Sequence, residues 1–192
     1  SLGVRNLTQT ASEIDAQLIH LSTDYVFDGE KNSPYTEFDL AKPQSVYAIS
    51  KLGGDTEALS YEKACVLRVA WVFGKATGDF FSWVLDGVKN NTITSLIGDA
   101  ICTPTYSVDI ASVIKHVISN QIFGLINVAN SGETTRLEMG QVFLKRLGMD
   151  VQLGSVTTDS LNRPAKRPLY SSLSTSTLNA VTGIEMRNWQ DA

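Results

Sequence analysis

Apolar positions along this chain recur first at helical spacing and then in short unbroken runs, and the two patterns alternate. In GVRNLTQTASEIDA, the residues Val4, Leu7, Ala11 and Ile14 fall about one turn apart, which predicts an opening helix. AQLIHLS follows as a continuous apolar run of strand length and predicts a buried strand. The turn-rich stretch DGEKNSPYTEFDLAKPQS then gives way to a helix from about Val46 to Leu59 and a single strand over ACVLRVAWVFG. A helix over DFFSWVLDGVKNN, a short strand at TSLIGD, an amphipathic helix over SVDIASVIKHVISN, a strand at GLINVAN and a helix over TRLEMGQVFLKRLG complete the series. Such alternation predicts the α/β class, part of a doubly wound, Rossmann-like parallel sheet covered on both faces. The last forty or so residues are poorer in apolar residues and richer in turn formers, which predicts a smaller subdomain folded against the sheet. Residues 1–135 are thus expected to carry the sheet with interleaved substrate-binding segments, and 136–192 mainly the small substrate-binding subdomain.

Composition narrows the function. Sixteen basic against twenty acidic residues leave a net charge of −4 with no like-charge run, which argues against nucleic acid and against an anionic membrane surface as partners. The apolar runs fall short of the roughly 18 residues that a membrane span needs, so a soluble, cytoplasmic protein is expected. Cys65 and Cys102 lack metal-type spacing and read as buried thiols, so no metal site is expected. His20 and His116 receive no role, and no secretion leader is visible.

Ligands of open α/β sheets bind at the carboxyl ends of strands, and STDYVFDG stands directly after AQLIHL. Ser22, Thr23 and Asp24 are therefore placed where a site would form, although the same residue types also close a strand as turn formers. In the next helix, Tyr47 and Lys51 are four residues apart and share one face. A right-handed crossover brings that face towards the end of the strand. A free tyrosine has a pKa of about 10, and a close ammonium and hydroxyl favour its phenolate, which is a physical reason for an acid–base site to want Thr23, Tyr47 and Lys51 together. Gly53 and Gly54 interrupt this helix and suggest close packing against another backbone.

The ordered series STDYVFDG, PYTEFD, KPQSVYAISKLGGD, LRVAWVFG, TPTYSVDIA and RPLYSSL resembles the extended short-chain dehydrogenase/reductases, and within them the dTDP-4-dehydrorhamnose reductases. The resemblance covers essentially the whole chain. It implies a nicotinamide-dependent oxidoreductase that reduces a dTDP-4-keto-6-deoxy sugar with NADPH or NADH, in nucleotide-sugar and cell-surface polysaccharide synthesis. Carried onto this sequence, it makes Tyr47 the proton donor, Lys51 the residue that lowers its pKa and holds the nicotinamide ribose, and Thr23 the triad hydroxyl. Ser22 joins Tyr47 and Lys51 on the cofactor side. Asp24, Trp71, Thr103, Pro104, Arg163 and Arg167 fall on the substrate side, the arginines as partners for a diphosphate. Trp71 as plain core packing and the arginines as solvated surface charges remain alternatives. Ala48, Asp55, Cys102 and Thr103 depart from the family's usual residues at their positions.

The glycine-rich strand-to-helix turn that would hold a dinucleotide pyrophosphate is missing: Gly3 is the only glycine before Gly29. The resemblance therefore leads us to expect a chain corresponding to the C-terminal two thirds of such an enzyme, by truncation, as a natural fragment, or as a non-catalytic binding or regulatory chain. A sugar-nucleotide epimerase or dehydratase on the same scaffold is the competing enzyme class. Homodimerisation and the preference between NADH and NADPH stay open.

Overall fold

A computed structural model describes residues 1–75 and 78–192 of the chain. Helix α1 (Leu2–Glu13) leads into β1 (Leu18–Thr23), and α2 (Val46–Leu59) into β2 (Ala64–Val69). After β3 (Val72–Phe73) come α3 (Phe80–Lys89), β4 (Ser95–Ile97), β5 (Ile101–Cys102), β6 (Thr105–Tyr106), α4 (Ser107–Ser119) and β7 (Gly124–Val128). The chain closes with β8 (Thr134–Thr135), α5 (Arg136–Arg146), β9 (Gly154–Val156) and α6 (Ser176–Thr182).

The central sheet is parallel, in the order β1-β2-β7, and its carboxyl ends are level, with Thr23 opposite Val69 and Val69 opposite Val128. Strand β2 shows how one segment serves two faces. Ala64 and Val66 point to the α1–α2 side, where Ala58, Val4 and Tyr61 pack, whereas Cys65 and Leu67 point to the α4–α6 side, where Val113, Val117 and Leu178 pack. Helices on both faces make this the doubly wound arrangement that the alternation predicts. Leu178, fully buried, brings α6 from the C-terminal region back into this core.

Three expectations change in the structure. The opening strand β1 is only half-buried, and Leu21 is 43% exposed, because β1 pairs on one side alone. In α1 the covered residues are Thr8 and Ala11, with Val4 against them, while Leu7 and Ile14 face outward; a stripe at i, i+4 and i+7 docks on α2. The run ACVLRVAWVFG is two strands, because Trp71 takes φ +34°, a left-handed conformation rare for a bulky residue, and turns the chain out of the sheet. Beyond that turn β3 pairs with β6. The strand at TSLIGD pairs with β9, outside the central sheet. Helices α3 and α5 close over it around Val84, Leu96, Leu144 and Leu153.

Candidate active site

The α2 helix starts where the Ser45 hydroxyl accepts from the Ala48 N–H at 3.2 Å, a cap that sets the register of everything after it. Tyr47, Lys51 and Asp55 then follow at i, i+4 and i+8, forming one stripe laid along β1. Tyr47 is 54% exposed and sets its ring at 88° to that of Tyr25, with centroids 6.4 Å apart. Its hydroxyl makes no hydrogen bond among the described residues. One turn on, the Lys51 ammonium donates to the Leu21 carbonyl of β1. A further turn on, buried Asp55 accepts from Arg68 Nε at 3.1 Å and lies 3.6 Å from His20 Nε2. Burial, with Lys51 adding to it, depresses the His20 pKa against the pull of Asp55. Asp55, a departure from the family pattern, thus ties α2 to β1 and β2.

Leu21 and Tyr25 bracket Thr23, so Lys51 and Tyr47 anchor on either side of it. The Thr23 hydroxyl itself turns inward: it donates to Asp24 Oδ1 at 3.0 Å and accepts from the Tyr25 N–H at 3.2 Å. Ser22 and Asp24 are both buried, and among the described residues Ser22 Oγ and Asp24 Oδ2 have no hydrogen-bond partner. Burial pushes the Asp24 carboxyl up to about 6, against the hydroxyls of Ser171 and Thr23, which favour the anion.

Beside this end of β1 lies a cleft of about 520 Å³. It is lined by Tyr25, Trp71 and Arg136, by Arg163 and Arg167, and by Phe80 and Trp83 of α3. Tyr25 touches both Tyr47 and the cleft and so joins the two. Trp71 serves cleft and core at once, packing against the buried cluster of Phe73, Met139 and Trp189 while its ring meets the Arg136 guanidinium at 3.9 Å. The cleft offers a flat aromatic wall and three guanidinium groups that suit a phosphorylated ligand, while Tyr47 and Lys51 do not line it and Tyr47 reaches it through the ring of Tyr25.

Of the residues expected on the substrate side, Trp71, Arg163 and Arg167 meet in the cleft, and Asp24 sits beneath it without lining it. Thr103 and Pro104 are buried and do not line it; the Thr103 hydroxyl accepts from the Leu173 N–H at 3.0 Å and braces RPLYSSL. Gly54 packs closely, but against the His20 and Val4 side chains, not a backbone, and Gly53 has open space apart from the Ser1 nitrogen at 3.5 Å. Two cleft residues, Tyr25 and Arg136, were not singled out from the sequence. Arg136 does carry one signal, a cation in the first turn of a helix, where the helix dipole opposes it. Among the described residues no cluster of metal-ligating side chains occurs, and no helix is long and apolar enough to cross a membrane.

The whole chain, residues 1–192, matches the family profile of the RmlD substrate binding domain. It is 32% identical to the spore coat polysaccharide biosynthesis protein SpsK of Bacillus subtilis, over 95% of this chain and 64% of that protein. It is 33% identical to dTDP-4-dehydrorhamnose reductase of Mycobacterium tuberculosis, over 99% of this chain and 65% of that protein. A crystal structure of a dTDP-4-dehydrorhamnose reductase from Clostridium acetobutylicum matches with a TM-score of 0.95 at 33% identity, covering 100% of this chain and 68% of that one. The Bacillus anthracis reductase, solved in complex with NADP, also matches at 0.95, with 28% identity and the same coverage. The chain spans 64–65% of the length of the first two of these relatives.

Proposed function

Because the chain belongs to the RmlD substrate binding domain family, we propose that its protein reduces a dTDP-4-keto-6-deoxy sugar, dTDP-4-dehydrorhamnose, to dTDP-L-rhamnose with NADPH or NADH. This places it in the supply of nucleotide sugars to cell-surface polysaccharide. The observation that carries the reading is the Tyr47–Lys51 stripe, pinned at the end of β1 and opening through Tyr25 onto an aromatic, arginine-lined cleft.

A reduced nicotinamide, when bound, supplies the hydride to the C4 carbon of the sugar. Buried Ser22 Oγ, without a partner among the described residues, the Lys51 ammonium and the Tyr47 hydroxyl suit the ribose and nicotinamide end of that cofactor. Tyr47 donates its phenolic proton to the sugar oxygen as negative charge develops there, and Lys51 stabilises the phenolate left behind. With Tyr47 half exposed, water restores the proton. Thr23 and Asp24 order the turn that presents Tyr25. Trp71 offers a flat face to the sugar ring, and Arg163 and Arg167 meet the diphosphate.

The test uses the full-length protein with the dTDP-4-keto-6-deoxy sugar and follows NADPH oxidation. Net oxidation matched to product is expected, and Tyr47→Phe should lower kcat by roughly 10²–10⁴ while dTDP binding stays within about twofold. Turnover without net oxidation marks an epimerase or dehydratase, and nucleotide binding without turnover marks a binding chain. Undiminished turnover in Tyr47→Phe removes the catalytic assignment.

A further inference from the structure

Arg136 opens helix α5 and lines the cleft with its guanidinium 3.9 Å from the centroid of Trp71 and 4.7 Å from that of Phe80. Two aromatic rings against the planar group hold it in place and leave its edge, where the N–H donors lie, for a ligand. Among the described residues none of its nitrogens lies within 4 Å of a carboxylate or makes a hydrogen bond. Its position at the first residue of a helix sets it against the helix dipole, so the secondary structure gives no reason for a cation there. Arg167 lines the same cleft, and burial together with the charge of Arg167 disfavours the Arg136 cation, against the opposing influence of Cys102, Tyr25 and Asp24. Two like charges lining one cleft, Arg136 partly buried and Arg167 on its exposed rim, point to an anion bound between them.

The location says which anion. Arg136 packs on Trp71, and both share the cleft with Tyr25, which packs on Tyr47, so Arg136 belongs with the residues that join the cleft to Tyr47; Arg163 and Arg167 come from the exposed segment before Pro168. Resting on the reductase reading of this site, we propose that Arg136 binds the sugar-side phosphate of the nucleoside diphosphate, together with Arg167, and makes the cleft select diphosphate over monophosphate esters. Arg136 is a binding residue in this account and takes no part in proton transfer.

The measurement is the affinity of the full-length protein for dTDP and for dTMP, by titration calorimetry, in the native protein, Arg136→Gln and Arg136→Lys. The native protein should prefer dTDP, and Arg136→Gln should weaken dTDP roughly tenfold to a hundredfold, as loss of a charge-assisted bond implies, while dTMP changes little. Arg136→Lys keeps the charge without the flat fork and should recover part of the preference. Thermal unfolding of each variant checks the fold. Equal weakening of dTDP and dTMP in Arg136→Gln would show that the guanidinium only props Trp71, and would overturn the proposal. An unchanged ratio in both variants overturns it too, while leaving the reductase reading intact. Failure of the native protein to bind either nucleotide defeats the reading and the proposal together.

Discussion

At the scale of single residues, Asp24 is where this chain accepts instability. Its carboxyl is buried with one oxygen unpartnered among the described residues, and burial holds its pKa up at about 6, above the usual carboxylate range. The unfolded chain therefore ionises it first. Below about pH 4 the group is protonated in both states and contributes nothing to the balance. As pH rises from about 4 to about 6 the folded state loses stability relative to the unfolded, by an amount on the order of 2–3 kcal/mol in all. Asp24→Asn should thus stabilise the protein above pH 6, and the difference in unfolding free energy between the two should grow between about pH 4 and 6 and then level off. Urea unfolding across that range measures it, and a difference independent of pH would contradict the account.

At the scale of elements, the site depends on α2 resting on β1 and on the RPLYSSL strap resting on the DG turn. The first contact was half legible: the i, i+4 spacing of Tyr47 and Lys51 is local and defines a helix face by itself. Asp55 extends that face by one turn, but its partner Arg68 comes from β2, and no local pattern names that pairing. The second contact turns on Gly29, which adopts φ +83°, and where an added Cβ would stand 2.5 Å from Pro168 Cβ and 2.8 Å from Pro168 Cα. Gly29→Ala combines an unfavourable backbone conformation with a clash against backbone, so a loss of about 2–4 kcal/mol is expected. Because Pro168 follows Arg167, the same variant should raise KM for the nucleotide sugar more than it lowers kcat. Thermal unfolding and steady-state kinetics together check this; a variant as stable as the native protein would mean the strap and the turn are free to part.

At the scale of the whole molecule, the sheet is covered on its faces and open along the outer edge of β1. Leu21 of that strand is 43% exposed, and Leu2, Val46 and Ile49 on the flanking helices are exposed as well. An unpaired strand edge beside exposed apolar side chains favours association with another chain. These 192 residues, produced by themselves, should self-associate as concentration rises and bind a hydrophobic dye in the folded state. Size-exclusion chromatography over a concentration series decides it, and a dye-silent monomer throughout would show that this edge is protected.

The sequence by itself determined the alternation of helices and strands, the α2 face bearing Tyr47 and Lys51, and the place of Ser22, Thr23 and Asp24 at a strand end, because periodicity and turn chemistry act over a few residues. Only the tertiary structure decided what those residues meet. Thr103 spends its hydroxyl on Leu173, 70 residues away, and so leaves the cleft that its motif suggested. Trp71 breaks one apolar run into two strands by taking a left-handed conformation that no composition announces. Arg136 carries one local signal, a cation in the first turn of its helix, which does not say what it meets, and it becomes a cleft residue only when α3, α5 and the β2–β3 turn assemble around it. Contacts between distant segments depend on how those segments pack, and a single sequence encodes that through the sum of its burial, not through any one motif.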